Sequence, residues 1–204
     1  MESLFQYFYI LYGIYWFCLL VGLIIVRSGT QIGNKLEKFT WNSRIRLWHK
    51  QPIYEHLFSY MENKKYLCTS SLVMLLNLPM VIFQLVTGLI LLSPIVAAYA
   101  GTLVGLIVGQ GGKKAFFVYA IATLIFEFGA FASAGAIGMT IGESWLLSEI
   151  TFLDSFRFIT QQIPVYLLLP IGCLILNGLI EAMGPIFGVD GVPGMKAYRE
   201  RILK

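Results

Sequence analysis

The sequence predicts an all-α, polytopic membrane protein: a bundle of about five transmembrane helices with amphipathic helices at the membrane interfaces. Three observations lead to this fold class. Of the 204 residues, 57% are hydrophobic and only 13% are charged, whereas soluble domains carry about 25% charged residues. Five apolar segments are long enough to be spans, and the third, residues 93–109, is short for a hydrocarbon core of about 30 Å. Nearly all basic residues fall in every second connection between these segments or in the C-terminal tail.

The predicted spans form one membrane domain that covers residues 1–204. The second and third spans are almost continuous, and Ser93-Pro94 is the only obvious break between them. Because proline disfavours helix at the residue before it, we expect a tight helical hairpin here instead of one long helix. The five spans are predicted at residues 8–26, 66–92, 93–109, 115–142 and 164–188.

The distribution of basic residues predicts the orientation of the chain. Segment 27–65 contains eight Lys or Arg residues, Lys113 and Lys114 follow the third span, and the C-terminal tail adds four. These are fourteen of the fifteen basic residues, and only Arg157 lies on the opposite side. The positive-inside rule then predicts a multi-pass cell-membrane protein with its N-terminus outside and its C-terminus in the cytoplasm. Because topology accounts for the net charge of +4, no nucleic-acid partner is predicted.

Two segments outside the spans are predicted to be amphipathic. In the inner segment 27–65, two interpretations stay open: a docking surface for a cytoplasmic partner, and a helix pair that lies on the membrane or caps the bundle. On the outer side, Glu143–Gln162 predicts a short interfacial helix. The helically spaced apolar residues of the inner segment are Trp41, Ile45, Trp48, Tyr54, Leu57, Phe58 and Met61.

Five polar residues are predicted within the spans, at Asn77, Gln84, Glu127, Asn177 and Glu181. A carboxylate at this depth costs about 3 kcal/mol or more unless it is paired, protonated or hydrated, so these residues are candidates for function. Asn77 and Gln84 share a helix face, as do Asn177 and Glu181. Glu127 and Glu181 are predicted at similar depths, where two carboxyl groups can share a proton.

Three roles are open for these carboxyl groups: hydrogen-bonded structural links, the lining of a proton, ion or substrate path, and intramembrane catalysis. The sequence contains no Gly-x-Ser-x-Gly, no paired aspartates and no His-Glu-x-x-His, so we predict that the protein is not an enzyme. His49 and His56 lie among basic residues, and the three cysteines are scattered along the chain. No metal site and no cofactor is predicted.

Small residues recur every four positions in the third and fourth spans. This spacing allows helix backbones to approach closely, which is the main route to tight packing in lipid. The pattern predicts close helix contacts and leaves open whether the partner helix belongs to this chain or to a second copy. The residues are Gly101, Gly105 and Gly109 in the third span and Ala134, Gly138 and Gly142 in the fourth.

Residues 66–188 resemble a known family of membrane proteins. The fourth span contains FEFGAFASAGAIGMTIG and the fifth contains LNGLIEAMGPIFG, and these segments resemble the stage II sporulation protein M family. Family members often carry His-Gly just before the glutamate, where this chain has Thr123 and Leu124. The matching positions are Glu127, Ala134, Gly135, Gly138, Ile180, Glu181 and Ala182.

The resemblance implies a non-catalytic membrane subunit. The family's namesake acts in a membrane complex that remodels the cell wall during sporulation, and related proteins occur beside ABC-type ATPases. We therefore expect protein partners in the membrane, a permease-like or scaffold role, and a cytoplasmic ATPase that docks on segment 27–65. The alternative is a small stand-alone transporter or channel that uses Glu127 and Glu181.

Overall fold

The computed structural model describes residues 2–50, 52–109, 114–148, 150–162 and 164–184. These ranges contain eight helices and no strand, which confirms the all-α prediction. Apolar segments form helices because hydrocarbon offers no partners to backbone N–H and C=O groups, and a helix pairs them internally. The helices are α1 (Glu2–Arg27), α2 (Gln31–Lys50), α3 (Pro52–Glu62), α4 (Tyr66–Leu89), α5 (Ser93–Gly109), α6 (Lys114–Leu147), α7 (Phe152–Gln162) and α8 (Pro164–Ala182).

Three of these helices, α1, α4 and α6, are long and apolar enough to cross a membrane. α5 and α8 are also apolar, with shorter apolar stretches. The 17 residues of α5 extend about 25 Å. The chain is therefore a membrane protein, and the count of five spans stays a prediction. The predicted end of the fifth span, at 185–188, and the basic C-terminal tail lie outside the described residues.

Two pairs of helices run parallel with their backbones in contact. Along α1 and α5, the contacts advance in both helices together, from Tyr15 against Gly101 to Leu19 against Gly105. Along α4 and α6, Gly138 lies against the Leu85 carbonyl, and the contacts again advance together. Side chains of ordinary size would hold these backbones further apart.

The remaining contacts show that the five apolar helices alternate in direction. Gly178, near the end of α8, lies against Ser70, near the start of α4, so α8 and α4 are antiparallel. Leu11 of α1 lies against Gly135 of α6, whereas the later Tyr15 stacks on an earlier residue of α6. α1 and α6 are therefore antiparallel too. In chain order, α1, α4, α5, α6 and α8 form an up-and-down bundle.

Helix α6 is the centre of this bundle. In its most apolar 18-residue stretch 72% of the residues are buried, against 22% in α1 and in α4. It packs against α1, α4 and α8, and Phe128, Phe131 and Ile137 are among its core residues. The polar and small residues of α6 consequently face other helices, while α1 and α4 present large apolar side chains outward.

A short turn joins α4 to α5. The Leu91 N–H donates to the Gly88 carbonyl and the Leu92 N–H donates to the Thr87 carbonyl, both at 2.8 Å. This pair of bonds defines a Schellman helix end. Leu91 has a φ of 60°, a left-handed conformation that costs a non-glycine residue about 1–2 kcal/mol. Pro94 follows in the first turn of α5, where its missing N–H needs no partner.

The apolar stripe of α3 faces the bundle. Leu57, Phe58 and Met61 are buried, and Leu57 and Met61 form a cluster with Val73 of α4. Of the two interpretations of segment 27–65, the one in which the helices cap the bundle therefore applies to the apolar stripe of α3. The side chains of Trp41, Ile45 and Trp48 lie outside the described part of the structure.

Helix α7 forms at the opposite end of the bundle, within the segment predicted as the outer interfacial helix. Thr151 caps it: the Thr151 hydroxyl accepts the Asp154 N–H at 3.2 Å and donates to the Asp154 carboxylate at 2.6 Å. The Phe152 ring meets Trp145 edge-on, with centroids 5.7 Å apart. The cap stabilises the start of α7, and the ring contact joins α7 to the end of α6.

We predict that Gly138→Ala destabilises the bundle by about 1–3 kcal/mol, because the added methyl group overpacks a backbone contact. A Cβ at this position would lie against the Leu85 carbonyl and 3.0 Å from Gly88 Cα. Thermal unfolding in detergent measures the effect. Gly13→Ala is the matched control, since a Cβ there meets nothing within 4 Å. Equal melting temperatures for the two variants would contradict the prediction.

Candidate functional site: a polar junction in the bundle

Gln84 of α4 joins three helices through hydrogen bonds. Its side chain is fully buried, with 0% exposure, and its Nε2 group donates to the Tyr15 hydroxyl of α1. The Gln84 carbonyl accepts the Ser93 hydroxyl of α5 at 2.8 Å, and the Thr87 hydroxyl lies 3.3 Å from that of Ser93. We call Tyr15, Gln84, Thr87 and Ser93 the polar junction. It links α1, α4 and α5 where an unpaired amide would be costly.

The central helix contributes a glycine to this junction. A Cβ at Gly135 would lie 3.2 Å from Gln84 Oε1, 3.0 Å from the Ser93 hydroxyl and 2.8 Å from a Leu11 methyl group. Gly135 therefore leaves the space that the polar junction occupies. Gly135 is one of the positions that match the family, and in the structure its missing side chain makes room for the Gln84 and Ser93 side chains.

Tyr15, Thr87 and Ser93 are the junction residues that the sequence did not predict. Tyr15 is fully buried, and its ring stacks on Phe128 with centroids 4.7 Å apart. The missed signal is the stripe Leu4, Leu11, Tyr15 and Leu19, which follows helical spacing and is buried throughout. For Ser93, the sequence indicates only a helix break at Ser93-Pro94.

Glu127 of α6 lies on the helix face that looks toward α4. Glu127 precedes Gly138 by eleven residues, which places both on one face of the helix. The contact of Gly138 with Leu85 sets the register and puts Asn77 about one turn from Glu127 in depth. Both residues are half-buried.

Asn177 and Glu181 form a second polar pair on the buried face of α8. The Asn177 side chain is fully buried, and its Nδ2 group donates to Glu181 Oε1 at 3.2 Å. Gly129 of α6 lies beside Cys173 of α8, so the Cα atoms of Glu127 and Glu181 differ by about 9 Å in depth. Because helical side chains lean toward the N-terminus, the two carboxyl groups lean toward each other. A shared proton between them stays a prediction.

Two fully buried amide oxygens, Oε1 of Gln84 and Oδ1 of Asn177, have no hydrogen-bond partner within the described ranges. A buried acceptor left unpaired costs about 1–3 kcal/mol. Both oxygens can accept a hydrogen bond from a water molecule or a protonated group. Across the same ranges, no three His, Cys, Asp or Glu side chains come together as a metal site would require.

The predicted small-residue positions all lie between helices of this chain. Gly101 and Gly105 of α5 lie against the backbone of α1, and a Cβ at Gly109 would be 3.2 Å from the Val26 side chain. Gly138 and Gly142 lie against the α4 backbone, and Ala134 is buried on the same face. The two glycine stripes therefore pair with α1 and α4, and not with each other.

Residues 8–184 match the model of a protein family described as Stage II sporulation protein M. The chain belongs to the stage II sporulation protein M family. The match covers most of the chain and extends the resemblance seen at 66–188 to α1, α2 and α3. Tyr15 on α1 and Gln84 on α4 thus both lie within the family region. Comparisons with curated proteins and with solved structures give no match.

We predict that Tyr15 and Gln84 of this family member are energetically coupled by about 1 kcal/mol. Tyr15→Phe removes the acceptor of the Gln84 amide and should cost about 1–2 kcal/mol. Adding Gln84→Leu should then cost less than it does in the wild-type chain, because the amide left unpaired is removed. Equilibrium unfolding in mixed micelles measures this double-mutant cycle.

Tyr12→Phe is the control for this cycle, since the Tyr12 hydroxyl lies 3.4 Å from the Ile125 carbonyl, at the long limit of a hydrogen bond. We expect Tyr12→Phe and Gln84→Leu to add within about 0.5 kcal/mol. Strict additivity of Tyr15→Phe and Gln84→Leu would show that the hydrogen bond contributes nothing.

Proposed function

We propose that this protein is a non-catalytic integral membrane subunit, with a permease-like or scaffold role in a multiprotein complex. The proposal rests on the observation that buried polar side chains form hydrogen bonds to one another within the bundle. Gln84 and Asn177 are fully buried, and each donates a hydrogen bond to another side chain. Polar groups on a transport path instead face a water-filled cavity. The family membership supports the same role.

The proposed orientation places the N-terminus outside and the C-terminus in the cytoplasm. The alternating directions of the five apolar helices support it, because every connection then falls on the side that its charge favours. α2 and α3, with the basic residues of segment 27–65, lie on the cytoplasmic side. α7, with Arg157, lies on the outer side.

The cytoplasmic partner, an ATPase of the ABC type, is proposed to bind the polar side of α3. The apolar stripe of α3 is already packed on α4, so this stripe is not available for docking. Glu55 and His56 are exposed on the other side, and Lys64 and Lys65 follow α3 in an exposed turn. A mixed-charge surface of this kind sets the specificity of a protein contact more than its strength.

Co-purification from native membranes tests this proposal. With a tag on the full chain and mild detergent, we expect one or more stoichiometric membrane or cytoplasmic partners. Glu55→Lys combined with His56→Glu should release a cytoplasmic partner, because the first change reverses a charge on this surface and the second introduces a negative one. Gln161→Lys, an exposed position on α7, is the control at the other end of the bundle. A lone monomer would overturn the proposal.

A stand-alone transporter or channel is the second candidate function. The unpaired oxygens of Gln84 and Asn177 favour it, because hydrated acceptors in the same bundle as Glu127 and Glu181 would suit the conduction of protons or cations. The two candidate functions predict different rates of proton leakage when the purified protein is placed in sealed liposomes.

Under the scaffold proposal, liposomes that contain the purified protein should lose an imposed pH gradient no faster than empty liposomes. Glu127→Gln and Glu181→Gln should then change thermal stability and leave the pH gradient unaffected. A pH-dependent flux that is present in the wild-type protein and lost in both variants, with folding intact, would instead establish the transporter. Dye-reported internal pH is the measurement, and melting in detergent reports folding.

A further inference from the structure

Helix α2 begins where the chain leaves the first apolar helix. α1 ends at Arg27, and α2 starts at Gln31 after a connection of three residues. Gly29 has a φ of 65°, and the Thr30 hydroxyl caps α2 by accepting the Gly33 N–H at 3.1 Å. A connection this short keeps α2 at the depth where α1 reaches the membrane surface.

One side of α2 is attached to the bundle. Gly33 lies against the Ile25 carbonyl of α1, Thr40 is buried, and α2 packs against α1 and α5. Gly33 and Thr40 are seven residues apart and so lie on one face. α2 therefore runs along the end of the bundle and does not project freely from it.

The other side of α2 combines exposed apolar and basic side chains. Ile32 and Phe39 are each 69% exposed, and their spacing of seven residues places them on one face. Lys35 and Lys38 lie between them in sequence and are exposed too. Large apolar side chains next to flexible cations suit an interface where the hydrocarbon takes the first and lipid headgroups take the second.

We propose that this face of α2 binds the anionic phospholipid headgroups of the adjacent membrane leaflet. Ile32 and Phe39 enter the boundary between headgroups and acyl chains, and Lys35 and Lys38 reach the phosphate groups. Charge complementarity favours an anionic lipid, since α2 contains five basic residues and one acidic residue. The inference is independent of the partner proposed for α3.

The experiment uses the full chain in liposomes of phosphatidylglycerol and phosphatidylcholine. Phe39→Cys carries a fluorescent label, with Cys18, Cys68 and Cys173 replaced by Ala. We expect spin-labelled lipids with shallow labels to quench the fluorophore strongly, and iodide in the water to quench it weakly. His56→Cys on the exposed side of α3 is the matched control, which iodide should quench strongly.

The lipid preference of α2 is measured by comparing quenching by spin-labelled phosphatidylglycerol with quenching by spin-labelled phosphatidylcholine. Each lysine near an anionic surface contributes about fivefold to binding. Lys35→Gln with Lys38→Gln should therefore reduce the preference for phosphatidylglycerol by up to about 30-fold, and added salt should reduce it in the wild-type protein.

Three results would overturn the inference. Strong iodide quenching at position 39 would place the exposed face of α2 in water. Equal quenching by the two lipids would show that headgroup charge plays no part. Protection from iodide that occurs in native membranes and not in liposomes would assign the face to a protein partner.

Discussion

The bundle depends on one constraint, the contact of the α4 and α6 backbones at glycine. Gly138 and Gly142 lie against carbonyl groups of α4, and Gly88 of α4 lies against the backbone of α6. Lipid is as apolar as the helix surfaces, so burial alone does not drive the helices together and close van der Waals contact is required. Because α6 also packs on α1 and α8, its position sets the position of the other helices.

The fold class and most helix bounds could be predicted from the sequence, because hydrocarbon requires every backbone polar group to be paired within its own segment. The polar residues in the spans could be found for a related reason, since each is rare at that depth. The residues to which they donate hydrogen bonds could not be predicted from the sequence. Tyr15 and Gln84 are 69 positions apart, and Tyr15 is one of several aromatic residues on α1. The glycine stripes predicted close contact, but their spacing carries no information about which helix they meet.

The polar junction explains why a glutamine is compatible with the middle of a membrane bundle. Its amide hydrogen reaches a hydroxyl group and its main-chain carbonyl accepts another, so part of the cost of removing these groups from water is offset. Ser93 is available for this contact because the turn after α4 is tight and brings the start of α5 back beside Gln84. A longer connection would have moved the serine away. The strained φ of Leu91 therefore belongs to the same local arrangement as the hydrogen bonds.

The central place of α6 has a consequence for how the protein is made. α1, α4 and α5 are synthesised before α6, and α8 follows it, so the helix at the centre is made after three of its neighbours. Gln84 finds its partners on α1 and α5, both of which precede α6 along the chain. All three helices that supply the hydrogen bonds of this amide are therefore complete before the central helix is synthesised.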